Sequence, residues 1–271
     1  MSEFKIYLLA ESCGEFLSCA MMEERICQKF GAVKSIENGE ERRIFEMEGK
    51  GKIFLTSWRE KPQDLIKEET LAQMWDFPGA SDLLSNCGWY AECTVLPEKN
   101  SGVAADCECR TALLMDALAL LPALFPDCTA FYIASSGRLF PREKVEECPV
   151  PKEERFIYYG VNARFFSGEN GEMLIDTIGM SAMELPDLQY HFQGIEPDLV
   201  VNHAYSMLFY LCAGGAVPEN GETVDGIAQE GIDENIRWIC RRETAIMPPA
   251  RNVIDIYMNE YAAGDRHTDV L

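Results

Sequence analysis

The chain has 271 residues, and its 24 Lys and Arg against 45 Asp and Glu give a formal net charge of −21. That balance argues against a non-specific nucleic-acid binder, which needs clustered cations for phosphate contacts, and against docking on an anionic membrane surface. With 47% hydrophobic and 25% charged residues the composition excludes intrinsic disorder. The length corresponds to one large or two small domains, able to bury roughly 70 to 75% of the extended surface without a disulfide or metal staple.

Phe4 to Ala10 is an apolar run of strand length, and Phe16, Cys19, Ala20, Met22, Cys27 and Phe30 follow at spacings of three and four. This pattern predicts a strand, a turn at Cys13-Gly14 and an amphipathic helix closed by Gly31. Ile44 to Glu48 and Lys52 to Trp58, separated by Gly49-Lys50-Gly51, predict a hairpin. A helical stretch over about Asp64 to Met74, another through Ser81 to Leu84, and an alternating strand from Trp89 to Leu96 complete a β, α, β, β, α, β order. That is the order of a ferredoxin-like split unit. Asp106 is placed to cap a helix that is apolar on most of its circumference and ends at Pro122 and Pro126. A strand over Thr129 to Ala134 precedes Pro141 to Glu154, whose Glu- and Pro-rich composition reads as a linker.

Beyond it, Phe156 to Phe166 and Glu172 to Ile178 read as strands joined by the turn Ser167 to Gly171. Gly179 to Leu185 reads as a short turn or helix stopped by Pro186, and Leu188 to Phe192 as a strand. Pro197 opens a helix with Val200, Ala204, Met207, Leu208 and Leu211 on its apolar face. Arg237 to Thr244 and Val253 to Met258 read as closing strands around Pro248-Pro249, with a polar tail from Gly264. The fold class is therefore α+β, with antiparallel or mixed sheets and helices packed on one face. The expected division is a ferredoxin-like N-terminal half at 1–140 and a C-terminal α+β domain at 155–260.

Met1 to Ala10 has no cleavage site behind a long apolar core, so a signal peptide is not expected. Ala112 to Phe125, the longest apolar window, is interrupted by Asp116 and Pro122 and is too short to span a membrane. Eleven cysteines, an odd number in a chain with its own core, fit reduced thiols in the cytoplasm.

Cys107 and Cys109 fall in the first turn of a helix, where the dipole favours a thiolate, and with Cys87 and Cys93 they suggest a four-thiolate metal site. Their spacing departs from the paired pattern of structural zinc, and buried or incidental cysteine is the competing reading. No metal or other cofactor is expected. Of the three histidines, His267 lies in the tail and His203 sits at the edge of an apolar helix face, as a hydrogen-bonded core histidine does. His191 follows Asp176, Glu184 and Asp187, a carboxylate and imidazole set suited to a metal or to acid/base work; Asp187 after Pro186 is equally a turn residue. Neither a glycine-rich phosphate loop nor a nucleophile elbow is present.

Charge becomes more informative when located. From Phe165 to Ile236, 72 residues, there is no Lys or Arg and there are 13 acids, leaving a net charge of only −8 on the rest of the chain. Such a field either keeps the protein soluble or forms a docking surface for a basic protein partner. In the second reading the loop Pro218 to Asn235 is its most exposed part, with Glu219, Glu222, Asp225, Glu230, Asp233 and Glu234 as contact residues.

The run Asp176-Thr177-Ile178-Gly179-Met180-Ser181-Ala182-Met183-Glu184-Leu185-Pro186-Asp187-Leu188, followed by Gly221-Glu222-Thr223-Val224, resembles motifs of a bacterial family, domain of unknown function 4261. The helix with Trp75, the strand from Trp89 and the apolar helix after Asp106 resemble the portion found ahead of that domain, so the resemblance covers most of the chain and is strongest from Phe156 to Met258. A glycine is expected before the Leu-Pro pair, where this chain has Glu184; that departure bears on any role requiring close backbone approach there. The resemblance implies fold and domain extent and names no reaction. Two functions follow. One is a non-catalytic cytosolic binding protein, immunity- or inhibitor-like, using the acidic surface. The other is a metal-assisted hydrolase built on Asp176, Glu184, Asp187 and His191.

Overall fold

In β1 (Phe4–Ala10), Phe4, Ile6 and Leu8 face one side of a sheet and Tyr7 and Leu9 the other, and four of these five are fully buried. A strand apolar on both faces belongs at the centre of a sheet. The computed structural model describes residues 3–74, 77–98, 103–228 and 231–264, and the side chains of these except 103–106. Trp75, Glu230 and His267 lie outside the described residues, as does the side chain of Asp106. Two units make up the chain, Met1–Gly160 and Val161–Leu271.

In the first unit, α1 (Cys19–Phe30) starts where the Ser18 hydroxyl accepts from Met21 N, buries Met22, Ile26 and Phe30, and stops at Gly31 with φ 87°. There follow β2 (Val33–Asn38), β3 (Arg42–Met47), β4 (Gly51–Thr56), β5 (Arg59–Glu60), α2 (Glu68–Leu71), α3 (Ala80–Asn86) and β6 (Trp89–Pro97). The unit ends with α4 (Val103–Leu124), β7 (Ala130–Ile133), β8 (Arg138–Pro141), α5 (Arg142–Glu147) and α6 (Arg155–Gly160). The expected hairpin is β3–β4, with Met47 opposite Gly51. Gly51 is required there, since a Cβ at its φ of 138° would collide with the Leu96 carbonyl on β6.

The strands form one antiparallel sheet in the order β2-β3-β4-β6-β1-β7-β8, with β5 also on β6. The α+β class stands, while the ferredoxin-like arrangement is not confirmed. The polar, half-exposed β2 makes the hairpin a three-stranded meander, and β1 sits between β6 and β7. Helices also occupy both faces rather than one. Arg43, Leu55, Cys93 and Ile6 follow one another across the register, and Arg43 reaches Met22 of α1, which packs on α4. On the opposite face Leu9, Ala130 and Tyr132 pack with Ala80 and Leu84 of α3.

Three boundaries differ from expectation. The apolar helix α4 starts ahead of Asp106, and it runs through Pro122 to Leu124. A proline in the last turn removes a single donor, and the Pro122 and Ala123 carbonyls are taken up by Arg142 and Arg25. Pro141–Glu154, read as a linker, carries the end of β8 and α5, anchored by the buried Val145 and by Tyr159 donating to the Lys144 carbonyl. The helical stretch at Asp64 to Met74 shrinks to the four residues of α2.

The second unit contains β9 (Asn162–Ser167), β10 (Met173–Ile178), β11 (Asp187–Phe192), α7 (Pro197–Cys212), β12 (Thr223–Ala228), β13 (Gly231–Thr244) and β14 (Asn252–Tyr257). Phe156 to Tyr159, expected to begin β9, lie instead in α6; an apolar run this short has no helix or strand signature of its own. The sheet order is β12-β13-β14-β11-β10-β9, with β11 and β14 parallel and the other neighbours antiparallel. One face, carrying Leu188, Tyr190 and Phe192, is covered by Val200, Ala204, Leu208 and Leu211 of α7, all buried. Among the described residues no helix is long and apolar enough to cross a membrane.

Candidate functional site

The face of this sheet opposite α7 is polar at its centre. Arg164, Asp176, Gln189, Asp255 and Arg241 stand opposite one another in register across β9, β10, β11, β14 and β13. Asp176, Gln189 and Asp255 are fully buried. Carboxylates removed from water need partners. Arg164 supplies a bidentate one, with Nε 2.8 Å and Nη2 2.6 Å from the Asp176 oxygens, while Gln189 donates to Asp255 at 3.0 Å. The Gln189 carbonyl oxygen accepts from Ile246 N at 2.8 Å, tying in the connection between β13 and β14.

Arg251, at the end of that connection, completes the cluster. Its Nη2 lies 2.5 Å from Asp176 Oδ2 and its Nε 3.2 Å from Asp187 Oδ2, and Nη1 donates to the Met247 and Pro249 carbonyls. Asp187 Oδ1 accepts from Met180 N at 3.1 Å, which fixes the 3-10 turn Met180–Met183. Burial pushes the Asp187 carboxyl up to about 6, against the pull of Arg251 and of the Met180 N–H. Three guanidiniums thus accompany three carboxylates on this face, a balanced arrangement that rigidifies the sheet and its loop.

Asp176 and Asp187 therefore come together as the sequence suggested, but around Arg251. Glu184 is exposed at the end of the 3-10 turn with φ 58° and ψ 25°, the left-handed conformation that suits the glycine expected there. His191 lies four residues beyond Asp187 on the same face of β11, about 13 Å along the strand, and bonds to Glu172 across 3.0 Å. Among the described residues no three His, Cys, Asp or Glu side chains converge as a metal site. The four thiols read as a possible set are spread over the end of α3, β6 and α4. Cys93 is sealed in β6, its thiol pushed up to about 12 by burial, and Cys109 is exposed on α4.

His203 is a core residue. Its Nε2 donates to the Asp225 carbonyl at 2.7 Å, and its Nδ1 accepts from the Tyr190 hydroxyl at 2.9 Å. The carbonyl can only accept, so Nε2 carries a proton. Burial pushes its pKa down.

The acids Glu219, Glu222, Asp225, Asp233 and Glu234 gather at the β12–β13 edge of the sheet. The segment expected as an exposed loop is instead mostly this hairpin, whose register shifts between Asp225 and Gly226. Asp225 pairs with Arg237, Glu219 lies 3.8 Å from Arg242, and Asp233 is pulled down by the backbone and side chain of Asn235.

Sequence reasoning missed Arg164, Gln189, Arg241, Arg251 and Asp255. The available signal was a polar residue centred in an apolar strand, as in Val253-Ile254-Asp255-Ile256 and Leu188-Gln189-Tyr190.

The second unit is thus a helix-backed mixed sheet whose other face is crossed by a buried, charge-balanced row. Residues 176–257, from Asp176 to Tyr257, match a family model described as Domain of unknown function (DUF4261), so the resemblance carried by the Asp176 to Leu188 and Gly221 to Val224 motifs stands over that segment. The match runs from within β10 to the end of β14, contains most of the polar row, and begins after Arg164. No curated protein and no solved structure matches the chain.

Proposed function

We propose that the second unit is a non-catalytic binding module of a cytoplasmic protein, immunity- or inhibitor-like, that meets a basic protein partner through the acidic β12–β13 hairpin. The observation that carries this reading is the clustering of Glu219, Glu222, Asp225, Asp233 and Glu234 on one edge hairpin, with Arg237 and Arg242 as the cations beside them. The carboxylates of Asp176 and Asp187 are by contrast occupied by arginines and offer little to a reacting group. Uncompensated surface charge accelerates encounter with an oppositely charged partner and makes it salt-sensitive. The absence of any disulfide among the described cysteines accords with a reducing compartment.

The test is capture of partners from lysate at low salt by the full chain and by a Glu219→Lys, Glu222→Lys, Glu234→Lys variant. A basic protein retained by the first, released by salt and lost by the second is expected; equal capture by both would sink the reading.

A further inference from the structure

A groove of about 730 Å³ lies between α7 and the β12–β13 hairpin. Met207, Val224 and Ile232 give it an apolar lining, and Ile232 is 52% exposed. Tyr210, 50% exposed, forms part of the wall. Its ring lies against Gly215, where a Cβ would come within 2.5 Å, and its hydroxyl accepts from Ala216 N at 3.1 Å. An aromatic side chain already held in place loses little entropy on binding, which is the property of an interface anchor.

The same groove is acidic. Glu222 and Asp225 line it, Glu219 and Asp233 lie close in the hairpin, and Arg237, its one cation among the described residues, is paired with Asp225. At its base His203 Nε2 donates to the Asp225 carbonyl. That bond also occupies a carbonyl of the edge strand, so an incoming chain meets side chains here rather than adding a full strand ladder.

We infer that this groove receives an extended segment of the basic partner, with an apolar side chain between Tyr210 and Ile232 and Lys or Arg side chains against Glu222 and Asp225. The inference rests on the binding role proposed above and supplies its site and ligand chemistry. Charge complementarity selects the cationic segment, and the exposed apolar pair demands that the segment not be uniformly polar.

The test uses the full chain and three fluorescein-labelled nonapeptides, in which Lys alternates with Leu, Lys with Ser, or Gln with Leu, read by fluorescence polarisation. The Lys/Leu peptide is expected to bind at least about tenfold more tightly than either control. Ile232→Ser and Tyr210→Ala, both at exposed positions, are each expected to weaken it about tenfold with an unchanged circular dichroism spectrum, while Glu169→Gln, exposed in the β9–β10 connection at the other edge of the sheet, costs less than about threefold. Equal binding of the Lys/Ser peptide, or no effect of the two groove substitutions, overturns the groove and leaves the acidic hairpin standing. Equal binding of the Gln/Leu peptide removes the cationic partner and with it both proposals. No binding of the Lys/Leu peptide overturns the groove alone, since the capture assay tests the hairpin independently.

Discussion

Arg251 donates from Nη2 to Asp176 and from Nε to Asp187, so one guanidinium joins the loop before β14 to the middle of β10 and the start of β11. The loop before β14 and the middle of β10 are far apart in sequence and meet because β11 pairs with β10 on one side and runs parallel to β14 on the other.

Removing this guanidinium strands buried charge. Arg251→Ala is expected to cost about 3 to 5 kcal/mol of unfolding free energy, in the range for breaking one side of a buried ion pair. Arg251→Lys should recover only part of that loss, because an ammonium cannot reproduce the forked contact with two carboxylates and the Met247 and Pro249 carbonyls. Urea denaturation of the three proteins measures both differences, and a loss below about 1 kcal/mol for Arg251→Ala would show that the network contributes little.

Asp187 gives the network a pH dependence of unusual sign. Burial raises its folded pKa to about 6, above the ordinary 3.8, so between these values the folded state holds more protons than the unfolded chain. Stability from this group is then present at low pH and lost as pH rises through about 6. The expected size is on the order of 3 kcal/mol, from roughly two units at 1.36 kcal/mol each. Asp187→Asn cannot ionise, so wild type should lose ground against it by that order between pH 4 and 7. Urea midpoints across that range provide the check, and a constant difference would exclude the effect.

The Tyr190 and His203 pair predicts the reverse slope. His203 resists protonation in the fold because of burial, so its contribution is present above about pH 6.5 and lost as pH falls below the unfolded value. Nitrogen-15 spectra should show a proton on Nε2 throughout and protonation of Nδ1 only at lower pH than in the unfolded chain. Tyr190→Phe withdraws the hydroxyl that donates to Nδ1 and should cost about 1 to 3 kcal/mol, the penalty for a buried acceptor left unpaired. Protonation of His203 at higher pH in the fold than in the unfolded chain would contradict the effect of burial.

Much of the α+β layout was legible because it rests on local pattern. The Phe4 to Ala10 run, the Gly49-Lys50-Gly51 turn and the Pro197 helix each carry their signal within a dozen residues. Errors arose where distant groups override local preference. Pro122 does not end α4 because Arg25 and Arg142 take up the carbonyls of the last turn. Thr223 to Ala228 becomes a strand because β13 pairs with it, although its Asp and Gly read as loop. Asp176 and Asp187 were read as part of a set with Glu184 and His191, but cross-strand register, which no short-range pattern encodes, brings Arg164 and Arg251 onto them.

Gly226 tests whether the acidic hairpin is built as described. It lies at the register shift of β12, and a Cβ there would collide with the Ile236 side chain and come within 3.0 Å of Cε2 of the buried Trp238 ring. Trp238 is fixed in the core, so Ile236, half-buried, must give way. Gly226→Ala is therefore expected to destabilise by about 1 to 3 kcal/mol through overpacking. In an Ile236→Ala background the main obstacle is gone, and the same substitution should cost at least about 1 kcal/mol less, a coupling of the size seen for residues in contact. A double-mutant cycle by urea denaturation measures it. Additive losses would mean that the two side chains do not meet, and the hairpin that presents Glu222 and Asp225 would then have a different register.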